Sequence, residues 1–257
     1  MKIKKYLSLC LFTLCAPALL VQANEPKTPE ALTAREWRLS VGGGFVVKKN
    51  NRPDNSYDKL DKKVILRFIP YIQGSYKRFS IAHQGINFRL VGNPFMNASI
   101  FVTRSGDKYL GPGMSPRKDS VFFGASAKFG KYGLTISRDI SGRSKGYLSQ
   151  INYSEFTMIT EDLNLVSSLS LEWHDDQYAD YYYGVRGGES SSSKIEYHPH
   201  NFFKPGLSLM PIYNLWENVS LVSAANVKFI PKEIRSSPTM NGKALELSML
   251  FALNYRF

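Results

Sequence analysis

Hydrophobic and polar residues alternate with a period of two along most of this chain, in segments of about ten residues divided by Gly, Asn, Asp, Ser and Pro. One stripe carries Trp37, Leu39, Val41, Phe45 and Val47, while Arg38, Ser40, Gly42 and Gly44 face the other way. Val64, Leu66, Phe68, Pro70 and Ile72 make a second stripe, and Val121, Phe123, Ala125, Ala127 and Phe129 a third. Leu163, Leu165, Leu169, Leu171 and Trp173 repeat the pattern, followed by Leu207, Leu209, Tyr213 and Leu215, and then Val219, Leu221, Ala225, Val227 and Phe229. Helical periodicity is scarce. The pattern predicts strands near 37–48, 63–76, 78–91, 96–104, 119–129, 132–140, 146–157, 163–174, 204–215, 217–230 and 244–257. That is an odd number, and a single-chain closed barrel has an even one, so the expectation is 12 strands, with 10 as the alternative. The miscount is expected between residues 63 and 104, where turn lengths do not alternate cleanly.

Such stripes suit either a soluble β-sandwich or a membrane barrel with apolar residues outward and a polar lumen. Three features favour an all-β, antiparallel up-and-down transmembrane barrel. Aromatic residues gather near strand ends (Trp37, Tyr76, Phe129, Trp173, Tyr255, Phe257), as an interfacial girdle requires. The opposite faces carry Arg67, Lys128, Glu172, Asn226 and Lys228, which a dry sandwich core would have to pair. Tight turns at 130–132 and 216–218 contrast with long polar loops at 48–61, 105–119 and 175–201, matching short periplasmic turns and long outer loops. The last thirteen residues, LELSMLFALNYRF, fit a closing strand whose lipid face holds Phe251, Leu253, Tyr255 and Phe257. A terminal Phe preceded by apolar residues at every second place resembles the signal read by the barrel-assembly machinery, an expected partner.

The first 23 residues place this barrel in the envelope. Lys2, Lys4 and Lys5 precede an apolar run and a small-residue site at Ala23, the layout of a secretory signal peptide. Residues 24–35 read as a flexible periplasmic lead-in and 36–257 as the barrel domain. Cys10 and Cys15 both fall in the signal, so the mature chain has no disulfide or thiol chemistry. Removing the signal lowers the formal net charge from +12 to +9 (30 basic against 21 acidic residues), without any long Lys/Arg block. The basic balance suits outer-membrane lipid and lipopolysaccharide, and an exported barrel leaves no role for nucleic acid.

Catalytic and metal constellations are weak. His83, His174, His198 and His200 lack an accompanying nucleophile elbow, an H-E-x-x-H motif or a carboxylate cluster, so no catalytic residue, metal or cofactor is assigned and a non-enzymatic role is expected. The most distinctive stretch, WHDDQYADYYYGVRGGE at 173–189, reads either as girdle residues leading into a loop or as an aromatic surface for sugar or protein.

This stretch also carries a family resemblance. ADYYYGVRGGES, the Y-x-P of Tyr197, His198 and Pro199, NYSEFT at 152–157 and SSP at 236–238 together resemble the MltA-interacting protein/OmpV family over residues 37–257. The match is position by position at Asp180, Tyr181, Tyr182, Tyr183, Gly184 and Val185. The resemblance implies a barrel in the outer membrane of a Gram-negative bacterium that scaffolds murein (peptidoglycan) synthesis, bringing together a lytic transglycosylase and a bifunctional penicillin-binding protein. It implies no catalytic residues. A small channel or uptake barrel and an adhesin are the alternatives.

Overall fold

The computed structural model describes residues 37–257 except 53, 58–62, 83–84 and 191–193. The expected signal peptide, the lead-in and His83 lie outside the described residues. Twelve antiparallel strands follow one another around a closed barrel: β1 (Trp37–Lys49), β2 (Val64–Tyr76), β3 (Phe79–Ala82), β4 (Gly85–Gly92), β5 (Met96–Ser105), β6 (Ser120–Phe129), β7 (Tyr132–Asp139), β8 (Tyr147–Met158), β9 (Leu163–His174), β10 (Phe202–Trp216), β11 (Val219–Phe229) and β12 (Leu245–Arg256). β12 pairs with β1 from Ser40↔Arg256 to Lys48↔Ser248, which closes the sheet and removes its terminal edges. The expected strand number is met, and the missing strand lies where the turn lengths faltered: the segment expected as 78–91 is two strands, β3 and β4, folded back at Ala82↔Gly85.

The apolar stripes face outward. Trp37, Phe45, Leu66, Phe123, Leu169, Leu207 and Met249 are all exposed, as lipid contact demands. Closure depends on a glycine run in β1. A Cβ on Gly42 would collide with the Leu253 carbonyl oxygen, and one on Gly44 with that of Phe251, so only glycine lets β1 approach β12 this closely.

One end carries tight connections, including the two-residue turns 77–78, 130–131 and 217–218. Gly130 has φ +58°, a conformation glycine adopts without strain. The other end carries the long loops, and two short helices lie within them: α1 (Asp176–Tyr183) and α2 (Lys232–Arg235). By the barrel convention of short periplasmic turns, the loop end is the outer end.

The wall is uneven. β3 pairs with β2 only from Gln73↔Ala82 to Tyr76↔Phe79. Among the described residues, positions 64–72 of β2 therefore have a strand partner on the β1 side alone. Phe68, in the middle of that stretch, is 76% exposed, more than its neighbours on the same outward stripe.

Candidate functional site: the capped outer vestibule

Loops fold over the outer mouth, beginning with α1. Asp175 caps the helix by accepting the Tyr178 N–H at 2.9 Å, and Tyr178, Ala179, Tyr182 and Tyr183 then fall on one helical face. That face is buried against Phe122, Phe202, Ile230 and Ile234, which project inward from β6, β10 and the 230–244 loop. The His174 ring stacks on Phe202 at 4.5 Å and lies 4.5 Å from Tyr178. Of the two readings of 173–189, girdle residues leading into a loop or an aromatic binding surface, neither describes Tyr178, Tyr182 and Tyr183, which form the inside of a cap. Burying them removes large apolar rings from water, and this outweighs the exposed-loop alternative.

Hydrogen bonds hold the cap in place. The Tyr182 hydroxyl accepts the Ser120 N–H at 3.0 Å and lies 3.1 Å from the Lys118 carbonyl oxygen. Burial pushes the Tyr182 hydroxyl far above its ordinary titration range, so it stays a neutral donor and acceptor. Ser237 donates to the Tyr183 carbonyl at 2.6 Å, and Val185 exchanges backbone bonds with Tyr197 at 2.8 and 2.9 Å. Three separate pieces of the family resemblance, 180–185, 197–199 and 236–238, thus meet in one structure. The fourth, 152–157, lies apart on β8.

Two ionic clusters tie the remaining loops to α1. Arg117, 1% exposed, bonds both oxygens of Glu189 at 3.0 and 2.6 Å. Burial raises the Glu189 carboxyl, but the Arg117 bonds and the Ser115 N–H outweigh it and hold the group down at about 2. In the second cluster Lys194 meets Asp54 at 2.5 Å and the Tyr109 hydroxyl at 2.9 Å, linking loops that leave β1, β5 and α1.

Arg52 sits between these clusters. Its guanidinium lies 4.8 Å from the centre of the Tyr109 ring and 4.6 Å from that of Tyr183. Nη2 donates to the Tyr182 carbonyl at 2.8 Å and meets Asp107 at 3.3 Å. Asp107 is itself held below the usual carboxylate range, because Arg52 and Lys48 outweigh its burial. Beneath the cap, a vestibule of about 670 Å³, including the part open to solvent, lies between Arg52, the top of β2 and the start of the 106–119 loop.

Further in, ion pairs and an apolar layer line the inward face of β9–β12, β1 and β2. Glu246 bridges Lys48 at 3.0 Å and Lys204 at 2.8 Å, while Glu172 holds Lys228 at 2.7 Å and His174 at 3.4 Å. Below them Val46, Ile69, Ala224, Leu250 and Ala252 are buried together, with Tyr71 and Met210 packed against them. Ser154 and Ser168 then bond across the wall at 3.0 Å. The residues expected to line the lumen, Arg67, Lys128, Glu172, Asn226 and Lys228, do occupy inward positions on their strands.

The histidines are dispersed. His174 is part of the cap packing, and His198 meets Asp180 at 2.7 Å and Glu196 at 3.0 Å on the loop surface. His200 is exposed and lies 4.0 Å from Asp176. Phe251, Leu253, Tyr255 and Phe257 all point outward at the lipid face of the closing strand. Arg52 and Arg117, which organise the cap, carried no signal in the sequence, since neither belongs to a motif or a stripe.

A closed twelve-stranded barrel with an apolar outer belt and a loop-capped interior defines an outer-membrane β-barrel protein. The chain belongs to the MltA-interacting protein MipA family, whose family model matches residues 37–257. It is 26% identical over 224 residues to an MltA-interacting protein of Escherichia coli (strain K12), covering 83% of this chain and 88% of the relative. A 24 kDa outer membrane protein of Pasteurella multocida is 22% identical over 241 residues, covering 85% and 93%. Among solved structures, a Pseudomonas aeruginosa FadL homologue aligns over 86% of this chain and 89% of its own, with 9% identity and a TM-score of 0.38.

Proposed function

We propose that this barrel is a scaffold at the inner face of the outer membrane, holding a lytic transglycosylase and a penicillin-binding murein synthase together. One observation carries the reading beyond family membership: inward side chains are spent on one another. The Lys48–Glu246–Lys204 bridge and the buried layer around Val46 and Leu250 line one side of the lumen, and the tyrosine cap covers its outer end, which suits a surface better than a conduit. The surface turned toward murein is the ring of tight turns, whose separate hairpins carry Lys77 and Arg78, Lys131, and Trp216 and Glu217. A relative carrying the name MltA-interacting protein supports the same choice of partner. The test is capture of purified lytic transglycosylase and murein synthase on immobilised, detergent-solubilised protein. Recovery of both in one complex is expected; recovery of neither overturns the scaffold. Charge reversal at Lys77 and Lys131 should weaken capture if the turns are the docking surface.

A further inference from the structure

Independently of the scaffold reading, the structure assigns an oxyanion-binding site to the outer vestibule, with Arg52 as its principal ligand and carboxylate or phosphate as the group it takes. Arg52 is 3% exposed, and its polar contacts leave from one nitrogen, Nη2: a hydrogen bond to the Tyr182 carbonyl and an ion pair with Asp107. Nε and Nη1 are buried with no hydrogen-bond partner. Buried N–H groups are nearly always satisfied, and a charged group left so is costly. The Tyr109 and Tyr183 rings pack against the guanidinium and, with its bond to the Tyr182 carbonyl, hold it in place before any ligand arrives.

The surroundings select the sign of the charge. Six cationic side chains and three acidic ones line the vestibule. The acids are already engaged: Glu246 by Lys48 and Lys204, Asp119 by Lys108 and Arg104, and Asp107 by Arg52. The excess positive charge, confined in a recess with low-dielectric walls, attracts an acceptor-only group and repels cations.

The wall beside the site bears on where the oxyanion comes from. Ile65 and Arg67 of β2 line the vestibule, and so do Gly106, Asp107 and Lys108 beyond β5. These are the two sides of the stretch where positions 64–72 of β2 have no strand partner away from β1 among the described residues. An oxyanion carried on an alkyl chain could keep that chain in the outer leaflet while its headgroup meets Arg52. A free anion would arrive through the mouth.

The experiment titrates full-length, signal-processed protein in non-ionic detergent with inorganic phosphate and, separately, with octyl phosphate, following heat release and thermal unfolding. Saturable binding by at least one probe is expected, weakening as sodium chloride rises, with a loss of about tenfold or more in Arg52→Met. Equal affinity for the two probes assigns a free anion. Octyl phosphate binding about tenfold tighter, with the difference abolished by Ile65→Trp, assigns a lipid-like headgroup. The proposal is overturned if wild-type protein binds neither probe, or if Arg52→Met binds both as wild type does. Should Arg52→Met lack the heat-modifiable band of a folded barrel, Arg52→Lys and Arg67→Gln decide instead. Unchanged affinity in both overturns the site.

Discussion

Replacing Arg117 with Met should loosen the outer cap while leaving the barrel closed. Arg117 connects the 106–119 loop to the segment following α1, and it does so almost without water. It bonds both carboxylate oxygens of Glu189, and also the carbonyls of Ser115 at 3.1 Å and Gly184 at 3.4 Å. Methionine preserves much of the aliphatic volume but strands the Glu189 carboxylate with only the backbone N–H groups of Ser115, at 3.0 Å, and Arg186, at 3.3 Å. Breaking a buried pair from one side costs about 3–5 kcal/mol, which corresponds to roughly 10²- to 4 × 10³-fold more frequent opening of the cap. The strand ladder does not use Arg117, so that cost falls on local opening. Hydrogen exchange on peptides from 106–119 and 176–190, measured in detergent micelles, should accelerate by that order, with strand peptides unchanged. The effect should also depend on pH. Glu189 is held at about 2 against an ordinary 4.5, so its contribution is complete above about 4.5 and fades as pH falls toward 2. The difference between wild type and Arg117→Met should shrink over that interval. Removing both partners, as Arg117→Met with Glu189→Leu, should recover much of the protection. Cap exchange unchanged at neutral pH in a folded Arg117→Met protein would refute the reasoning.

Other expectations follow from individual contacts. Gly44→Ala sets a Cβ against the Phe251 carbonyl oxygen, an overpacking of about 1–3 kcal/mol at the closing seam, and should lower the fraction of heat-modifiable folded barrel. Gly188→Ala, a glycine whose Cβ would meet nothing within 4 Å and whose φ is not positive, serves as a loop control. Tyr182→Phe keeps the ring but leaves the buried Ser120 N–H without its acceptor, a loss of about 1–3 kcal/mol detectable as faster exchange in the cap. Glu196 and Asp180 raise the pKa of His198, so the latch it forms is complete below about 6.5 and is lost as pH rises through the elevated value. Proteolysis of the 194–200 segment should therefore quicken on the alkaline side in wild type and be independent of pH in His198→Ala; a flat wild-type profile would contradict this. If Phe257 and Tyr255 form the assembly signal, Phe257→Ser should reduce the yield of folded barrel in the outer membrane without changing synthesis of the chain.

The wall of the barrel was legible in the sequence and its contents were not. Period-two alternation is a local property, and lipid enforces it at every outward position, so Leu169, Leu171, Leu207 and Leu209 announce their own orientation. The hidden strand shows why one element escaped. β3 is only four residues long, and its stripe changes phase at the turn: Phe79 and Ile81 point outward before it, Ile86 and Leu90 after it. That switch from odd to even positions was the available signal. The cap helix gave much less. Eight residues with tyrosines at 178, 182 and 183 make barely two turns, and their burial is decided by Phe122 and Phe202, distant in sequence and anomalous on faces otherwise small or polar. Arg52 and Arg117 were harder still. A buried arginine is defined by what surrounds it, and here those surroundings come from the 106–119 loop and from residues 181–189, far apart in the chain.

The capped interior is tested most directly by conductance. Purified protein reconstituted into planar bilayers should remain electrically silent at moderate voltage, because the tyrosine cap covers the outer end of the lumen, and the Lys48–Glu246–Lys204 bridge and the Val46–Leu250 layer occupy the inward face from β10 round to β2. Stable, reproducible single-channel steps from the folded, heat-modifiable protein would contradict the account and return the barrel to the class of open pores.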